Sequence, residues 1–247
     1  MKSTLGSPYV FADLDGCLIF SKDGSYQPHV LATNSSGVAL SFADDKQIDF
    51  LNSLIKMGEL VPTTARSSRS YHQVELGHTG WAIVSHGAII LQPDGQPETR
   101  WLERTAALVE AERNNFECIL ANLKRNSALL AIEAGPRIVQ DYDLPIFIKA
   151  SVDKYSGISL TSLLNALKEQ LGEHLAGWRF ADYDYYIEMV PPYSRKEFAV
   201  QWFLDNIADQ NRSFTIGMGD MLTDLGFATI CDYFISPTQS QIVKSLN

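Results

Sequence analysis

One short stretch near the start of the chain constrains the fold more than any other. Residues 9–16 form an apolar run that ends in two aspartates, Asp13 and Asp15, and a glycine, Gly16. Such a run, closed by polar residues and glycine, predicts a buried parallel strand with an open carboxyl end, where open α/β sheets place their functional residues. Strand alternation predicts both carboxylates on one side, where their charges repel unless a cation lies between them. A solvated turn with an Asx hydrogen bond is the alternative.

The composition excludes several classes of protein. The chain has 247 residues, 45% hydrophobic and 20% charged, which allows one large globular domain or two modest ones. Its net charge of −9 argues against nucleic-acid binding, which needs a basic face. No apolar run approaches the roughly 20 residues that cross a bilayer, and there is no signal-peptide pattern, so we expect a cytoplasmic protein without a membrane partner. The widely spaced cysteines predict neither disulfides nor a zinc site: Cys17, Cys118 and Cys231.

The alternation of strands and helices predicts an inserted domain. Residues 1–91 and 189–247 show strand–helix alternation, which predicts an α/β fold with a doubly wound, Rossmann-like parallel sheet. Residues 92–188 lack strict alternation, which predicts an α+β insert. Within the insert, periodicity predicts helices at 101–124 and 158–171 and strands at 128–133, 145–152 and within 177–190. A turn-rich hairpin is expected within residues 21–41.

A second acidic motif, Gly219-Asp220-Met-Leu-Thr-Asp224, follows an apolar strand and opens a helix. If the helix has begun by Asp220, the i, i+4 spacing stacks the two carboxylates on one face. Helix capping is the simpler alternative, because aspartate is favoured at helix N-termini. Beside Asp13 and Asp15 at the same sheet edge, these carboxylates predict an oxygen-rich pocket suited to Mg²⁺.

The two acidic motifs resemble the first and fourth motifs of haloacid dehalogenase (HAD) superfamily phosphatases. The resemblance covers the whole chain and points to the subclass with a large α+β cap after the second motif, which includes Cof-type, sucrose-phosphate, trehalose-phosphate and mannosyl-3-phosphoglycerate phosphatases. The stretch Ser85-His86-Gly-Ala resembles the His-Gly-Ala that trehalose-phosphate phosphatases often carry, which makes His86 a candidate substrate contact. Cys17 and Ala65 depart from the usual Thr and Gly, but neither change removes a reactive group.

The remaining two motifs of that superfamily also have matches. The second motif, a Ser or Thr at a strand end, is matched by Thr64 within Val-Pro-Thr-Thr-Ala-Arg, with Thr63 as an alternative one residue out of register. Arg66 closes this motif as a candidate substrate contact. The third motif, a lysine that opens a helix after the insert, is matched by Lys196, with Arg195 as the competing candidate.

The resemblance implies a role for each matched residue. Asp13 is the expected nucleophile, which forms an aspartyl-phosphate, and Asp15 is the expected general acid and base. Thr64 and Lys196 would position the phosphoryl group. The metal set implied for Mg²⁺ is Asp13, the main-chain carbonyl of Asp15, Asp220 and Asp224.

These expectations add up to a Mg²⁺-dependent phosphatase that acts on a small phosphate ester, with a phosphosugar as the expected substrate class. The insert, 92–188, would act as the cap that selects the substrate. Two alternatives stay open from sequence: a phosphomutase of the same fold, and a non-catalytic phosphate-binding homologue. The sequence leaves the substrate's identity and the oligomeric state unknown.

Overall fold

The structure is a computed structural model that describes residues 5–21, 28–34, 36–125, 135–151, 160–183 and 186–246. It divides into two units, one of Met1–Trp101 with Arg195–Asn247 and one of Leu102–Ser194. The second unit is therefore a continuous insertion into the first. The inserted unit begins ten residues and ends six residues later in the chain than the insert predicted at 92–188.

The two units contain twelve described strands and seven described α-helices. The strands are β1 (Tyr9–Ala12), β2 (His29–Thr33), β3 (Ala39–Ala43), β4 (Glu59–Pro62), β5 (Ala82–Val84), β6 (Ile89–Leu91), β7 (Arg137–Asp141), β8 (Leu144–Ser151), β9 (Arg179–Tyr183), β10 (Tyr186–Val190), β11 (Thr215–Met218) and β12 (Tyr233–Ile235). The helices are α1 (Asp45–Met57), α2 (Ser68–Tyr71), α3 (Thr99–Arg125), α4 (Leu160–Leu171), α5 (Lys196–Asn206), α6 (Leu225–Ala228) and α7 (Gln241–Lys244). The strand predicted at 128–133 lies outside the described residues, and β7 was not predicted.

A parallel sheet with the strand order β12-β11-β1-β4 forms the centre of the first unit. Successive side chains of β1 point to opposite faces, and both faces are buried. Val10 and Ala12 pack in one apolar cluster with Leu51 and Leu54 of α1. Phe11 packs in the other cluster, which includes residues of α5 and α6. Helices on both faces explain why β1 is continuously apolar, and they confirm the predicted α/β, doubly wound class.

The register of this sheet aligns the carboxyl ends of its central strands. Ala12 at the end of β1 pairs with Pro62 of β4 and with Met218 of β11. The ladder continues for one more bond on each side of Ala12, because Asp13 N–H donates to the Met218 carbonyl (2.9 Å) and Thr63 N–H donates to the Ala12 carbonyl (2.7 Å). The residues that follow these strands therefore emerge together at one edge.

The inserted unit has an antiparallel sheet with the strand order β7-β8-β10-β9, accompanied by α3 and α4. Its core joins residues of α3, such as Phe116 and Ile119, to Ile148 of β8 and Ile187 of β10. This arrangement is the α+β insert that the sequence predicted. None of the helices in the described part of the chain combines the length and apolar character needed to cross a membrane.

Candidate active site

Three carboxylates meet at the carboxyl end of the parallel sheet. Asp13 follows β1, Asp220 follows β11, and Asp224 ends a 3₁₀ turn, Leu222–Asp224; one oxygen from each lies within 4.8 Å of the others. Asp224 Oδ2 accepts the main-chain N–H groups of Asp220 (3.2 Å) and Met221 (3.1 Å). The following helix begins at Leu225, so Asp220 and Asp224 meet through this capped loop and not through the helical i, i+4 spacing considered from sequence.

Lys196 joins this cluster from the first residue of α5. Its Nζ donates to Asp13 Oδ1 at 2.6 Å and to Asp224 Oδ1 at 2.7 Å, and the side chain is 11% exposed. Burial lowers the pKa of Lys196, but the attraction of Asp13 and Asp224 outweighs that effect and raises the pKa above its ordinary value. Lys196 is therefore a fixed positive charge, and it is the lysine, not the neighbouring Arg195, that the structure places on Asp13.

The cluster carries more negative than positive charge. With all groups ionised, three carboxylates face one ammonium, which leaves an excess of two negative charges. Burial raises the pKa of Asp13 well above its ordinary value despite Lys196, and Asp224 adds to the rise. Burial, followed by the charge of Asp224, raises the pKa of Asp220 to about 6. A divalent cation would balance this charge.

One buried oxygen of the cluster also lacks a partner. Asp220 Oδ1 is shielded from solvent and has no hydrogen-bond donor among the described residues. A buried polar atom without a partner is costly, and carboxylate oxygens are the ligands that Mg²⁺ prefers. The residues present therefore fit a hard divalent cation, which Asp13, Asp220 and Asp224 would hold.

Because Lys196 is the nearest counter-ion to these carboxylates, we expect Lys196→Met to destabilise the protein. Removing one partner of a buried ion network leaves uncompensated charge, which costs about 3–5 kcal/mol. The free energy of unfolding, measured by urea denaturation in EDTA at about pH 7, should fall by that amount. Lys46→Met is the matched control, because Lys46 is exposed on α1. An equal loss of unfolding free energy in Lys196→Met and Lys46→Met would show that the ion pairs of Lys196 do not stabilise the protein.

Gly16 allows the two acidic loops to approach each other. Its φ of +85° lies in the region that glycine adopts without strain. A Cβ atom at this position would lie 2.4 Å from Asp220 Oδ2, so any side chain would push the fourth-motif loop away. The glycine after the paired aspartates is thus required both for the turn and for the carboxylate cluster.

Asp15 has a different partner from Asp13. Arg66 donates to it from Nε (2.7 Å to Oδ2) and Nη2 (2.6 Å to Oδ1), and Nη2 also donates to Ser41 Oγ (3.0 Å). The Asp15 side chain is 52% exposed, against 9% for Asp13. Both aspartates lie beyond β1, which ends at Ala12, so strand alternation does not fix their environments and the expectation that they share one side stays a prediction. The main-chain carbonyl of Asp15 stays its predicted metal ligand.

The Arg66 contact also differs from the sequence expectation, which assigned that guanidinium to substrate. The sequence did contain a signal for this ion pair. Asp15 follows β1 and Arg66 follows β4, so opposite charges come after two neighbouring parallel strands. Nothing in the sequence indicated Ser41, which lies on β3 of the β2–β3 hairpin that the sequence did predict.

Thr64 is buried and follows β4, at the same edge of the parallel sheet as the carboxylate cluster. Its Oγ1 accepts the main-chain N–H of Arg66 at 3.2 Å. The hydroxyl of Thr63, the alternative from sequence, donates instead to the carbonyl of Val61 at 3.0 Å, which commits it to the main chain. Between these two hydroxyls, the local hydrogen bonds favour Thr64 as the second-motif residue.

The His86 turn contacts both the Thr64 loop and the start of α5. His86 N–H donates to the Thr64 carbonyl at 3.2 Å. Gly87 has a φ of +92°, and a Cβ there would lie 2.3 Å from the main-chain oxygen of Arg195. This close approach brings the His86 turn next to the residue that precedes Lys196.

Comparisons with known proteins add evidence on the fold. No family model matches the sequence, and no curated protein matches it. Among solved structures, sucrose-phosphatase from Synechocystis sp. PCC6803, in complex with sucrose and phosphate, is 17% identical with a TM-score of 0.55; the match covers 90% of this chain and 78% of that one. A phosphatase of the haloalkanoate (HAD) enzyme superfamily from Bacteroides thetaiotaomicron is 11% identical with a TM-score of 0.53, over 100% and 96% of the chains.

A nucleotide-binding protein has a similar fold. The IMP-nucleotidase of Plasmodium falciparum, solved with IMP bound, is 13% identical with a TM-score of 0.55, and the match covers 97% of this chain and 67% of that chain. At these identities the likeness concerns the fold. It confirms that this chain has the fold of HAD phosphatases, as the sequence motifs predicted.

Proposed function

We propose that this chain is a Mg²⁺-dependent phosphatase that hydrolyses a small phosphorylated metabolite, with a phosphosugar as the favoured class. The observation that carries the proposal is the largely buried cluster of Asp13, Asp220 and Asp224 with Lys196, in which one buried oxygen lacks a partner. The fold shared with HAD phosphatases supports the reaction class, and the likeness to sucrose-phosphatase supports the sugar.

In the proposed reaction, an Asp13 carboxylate oxygen attacks phosphorus and the bond from phosphorus to the ester oxygen breaks. Asp15 donates a proton to the departing oxygen and later removes one from the water that hydrolyses the aspartyl-phosphate. Lys196 orients Asp13 through Oδ1, and the Thr64 hydroxyl donates a hydrogen bond to the phosphoryl group. When bound, Mg²⁺ offsets the negative charge of the phosphate and of the cluster.

The same proposal gives roles to His86, Arg66 and the inserted unit. His86 would contact the substrate next to Thr64. Arg66 would hold Asp15 in place and would also contact the phosphate group of the substrate. The inserted unit, Leu102–Ser194, would act as the cap that selects the substrate.

The test is an activity assay on the purified protein. We expect Mg²⁺-dependent release of phosphate from p-nitrophenyl phosphate, abolished by EDTA, and faster release from one member of a panel of sugar phosphates. IMP belongs in the panel, because a nucleotidase has a similar fold. Isomerised sugar phosphate in place of free phosphate would identify a mutase. No turnover of any ester, in a protein that still binds Mg²⁺, would overturn the enzymatic proposal.

We also expect Mg²⁺ binding to weaken as pH falls through about 6. The folded state raises the pKa of Asp220 to about 6, above its ordinary value near 4, so protonated Asp220 favours folding below pH 4 and this contribution is lost as pH rises through 6. The metal competes with that proton. At about 100 times its Kd, Mg²⁺ should raise the melting temperature by roughly 5–10 °C at about pH 7.5 and by less at about pH 5.

Asp220→Asn and Asp205→Asn separate this effect from general charge effects. Asp220→Asn should remove most of the Mg²⁺-induced rise in melting temperature, whereas Asp205→Asn, an exposed change on α5, should preserve it. A rise that is equal at both pH values would contradict the raised pKa of Asp220, and a full rise in Asp220→Asn would show that Asp220 is not a ligand.

A further inference from the structure

A second set of reactive side chains lies in the inserted unit, on α3 and on the 3₁₀ turn Gly172–Leu175 that follows α4. Cys118 Sγ lies 3.8 Å from His174 Nε2, and His174 Nδ1 lies 2.8 Å from Asn115 Oδ1. Cys118 and His174 are both exposed. A thiol, an imidazole and an amide in this order form a nucleophile, a base and a group that orients the base.

The neighbouring hydrogen bonds indicate which ring nitrogen of His174 carries the proton. The indole N–H of Trp178 donates to Glu112 Oε2 at 3.0 Å, and Asn115 Nδ2 donates to the same oxygen at 2.9 Å. Because this amide nitrogen is committed to a carboxylate, the oxygen of Asn115 faces His174 and accepts from Nδ1–H. In the neutral imidazole this contact places the proton on Nδ1, which leaves Nε2 of His174, 3.8 Å from Cys118 Sγ, positioned to accept the proton of the thiol.

Buried contacts hold the group in place. Trp178 is buried and its ring meets Phe116 of α3 edge-on, with centroids 4.9 Å apart. A second bond, Asn122 Nδ2 to Gln170 Oε1 at 2.9 Å, links α3 to α4 just before the turn that carries His174. The Cys118–His174 pair is therefore exposed but attached to fixed elements on both sides.

The other two cysteines, Cys17 and Cys231, are less exposed than Cys118. Cys17 is buried beside the carboxylate cluster, and burial followed by the charge of Asp13 raises the pKa of its thiol. Burial also raises the pKa of the Cys231 thiol to about 12. Since the thiolate is the reactive form, these two cysteines are poor nucleophiles, and of the three cysteines Cys118 is the exposed one.

We propose that Cys118 is a thiol–disulfide exchange site for low-molecular-weight disulfides, with His174 as its base and Asn115 as the residue that positions His174. His174 Nε2 takes the thiol proton, and Cys118 Sγ attacks one sulfur of the disulfide. A new S–S bond forms to Cys118 as the old one breaks; Cys118 is oxidised to a mixed disulfide and the leaving thiolate takes up the proton. Among the described residues, the aspartate cluster is the one grouping of three potential metal ligands, which favours this chemistry over metal binding here.

The test is the reaction of the native, full-length protein with 5,5′-dithiobis(2-nitrobenzoic acid). We expect one thiol to react fast, with this phase lost in Cys118→Ser and unchanged in Cys231→Ser. Ionising a thiol that is otherwise a few per cent thiolate speeds exchange by about tenfold, so His174→Gln should slow the fast phase by about that factor. Asn115→Ala should slow it by a smaller factor. Glutathione disulfide should give a single mixed disulfide, observed by intact mass.

Chemical rescue separates a base from a packing residue. In His174→Ala, added imidazole should restore the fast phase, and it should leave the wild-type rate unchanged. Thermal unfolding of each variant checks that the inserted unit stays folded. An unchanged rate in His174→Gln, a slow phase that imidazole fails to restore, or the absence of a glutathione adduct at Cys118 would each overturn the proposal.

Discussion

Asp13→Asn is expected to reduce the hydrolysis of any phosphate ester by at least about a thousandfold, because an amide does not attack phosphorus and a lost nucleophile removes the covalent route altogether. The variant should remain folded. Asparagine has the same shape, and its Oδ1 can still accept from Lys196, whose second bond to Asp224 is untouched. The change also removes one charge from a cluster that has an excess of negative charge.

The measurement is kcat/KM on p-nitrophenyl phosphate with saturating Mg²⁺, beside thermal unfolding. Asp205→Asn, an exposed aspartate on α5, is the control for a charge change and should retain wild-type activity. Asp13→Asn protein with substantial activity would assign the nucleophile to another residue. If Asp13→Asn is both inactive and unfolded, the role of Asp13 is tested instead by trapping the phosphoenzyme in Asp15→Asn.

The position of the candidate site could be predicted from sequence because parallel strands bring their carboxyl ends to one edge. Asp13, Thr64 and Asp220 each follow an apolar strand, and the register of Ala12 with Pro62 and Met218 places them together. Lys196 needed the motif resemblance, because a lysine at a helix start is otherwise an ordinary surface residue. Its burial follows from the cluster of carboxylates that it meets.

The details just beyond the strand ends could not be predicted. Alternation applies only inside a strand, and β1 ends at Ala12, so the sequence did not separate the environments of Asp13 and Asp15. The bidentate bond from Arg66 depends on where two loops come to lie. In the same way, the Cys118–His174 pair joins residues 56 positions apart, and neither showed a recognisable spacing in the sequence.

Asp15→Asn is expected to separate the two halves of the proposed reaction. The p-nitrophenolate anion leaves without a proton donor, so Asp13 can still be phosphorylated in this variant. Hydrolysis of the aspartyl-phosphate needs a base for the attacking water, and general bases contribute typically 10²–10⁴-fold. We therefore expect a burst of about one equivalent of p-nitrophenol per chain, followed by turnover at least about 100-fold slower than wild type. A sugar phosphate, whose alkoxide needs the acid, should give no burst.

Rapid-quench kinetics with intact mass measures the burst and the trapped phosphoenzyme directly, and hydroxylamine should release the phosphate. Stability should fall by about 1–2 kcal/mol, since Asp15 is half exposed but the Arg66 side chain is only 14% exposed and loses a charged partner. Asp45→Asn is the matched control, because Asp45 is also exposed and also contacts a side chain, with Oδ1 2.7 Å from His29 Nε2. In the structure both Asp15 oxygens accept from Arg66, so one of these bonds must open before the carboxyl group can donate a proton. Wild-type turnover of a sugar phosphate by Asp15→Asn would remove Asp15 from acid–base catalysis and leave it as the partner of Arg66.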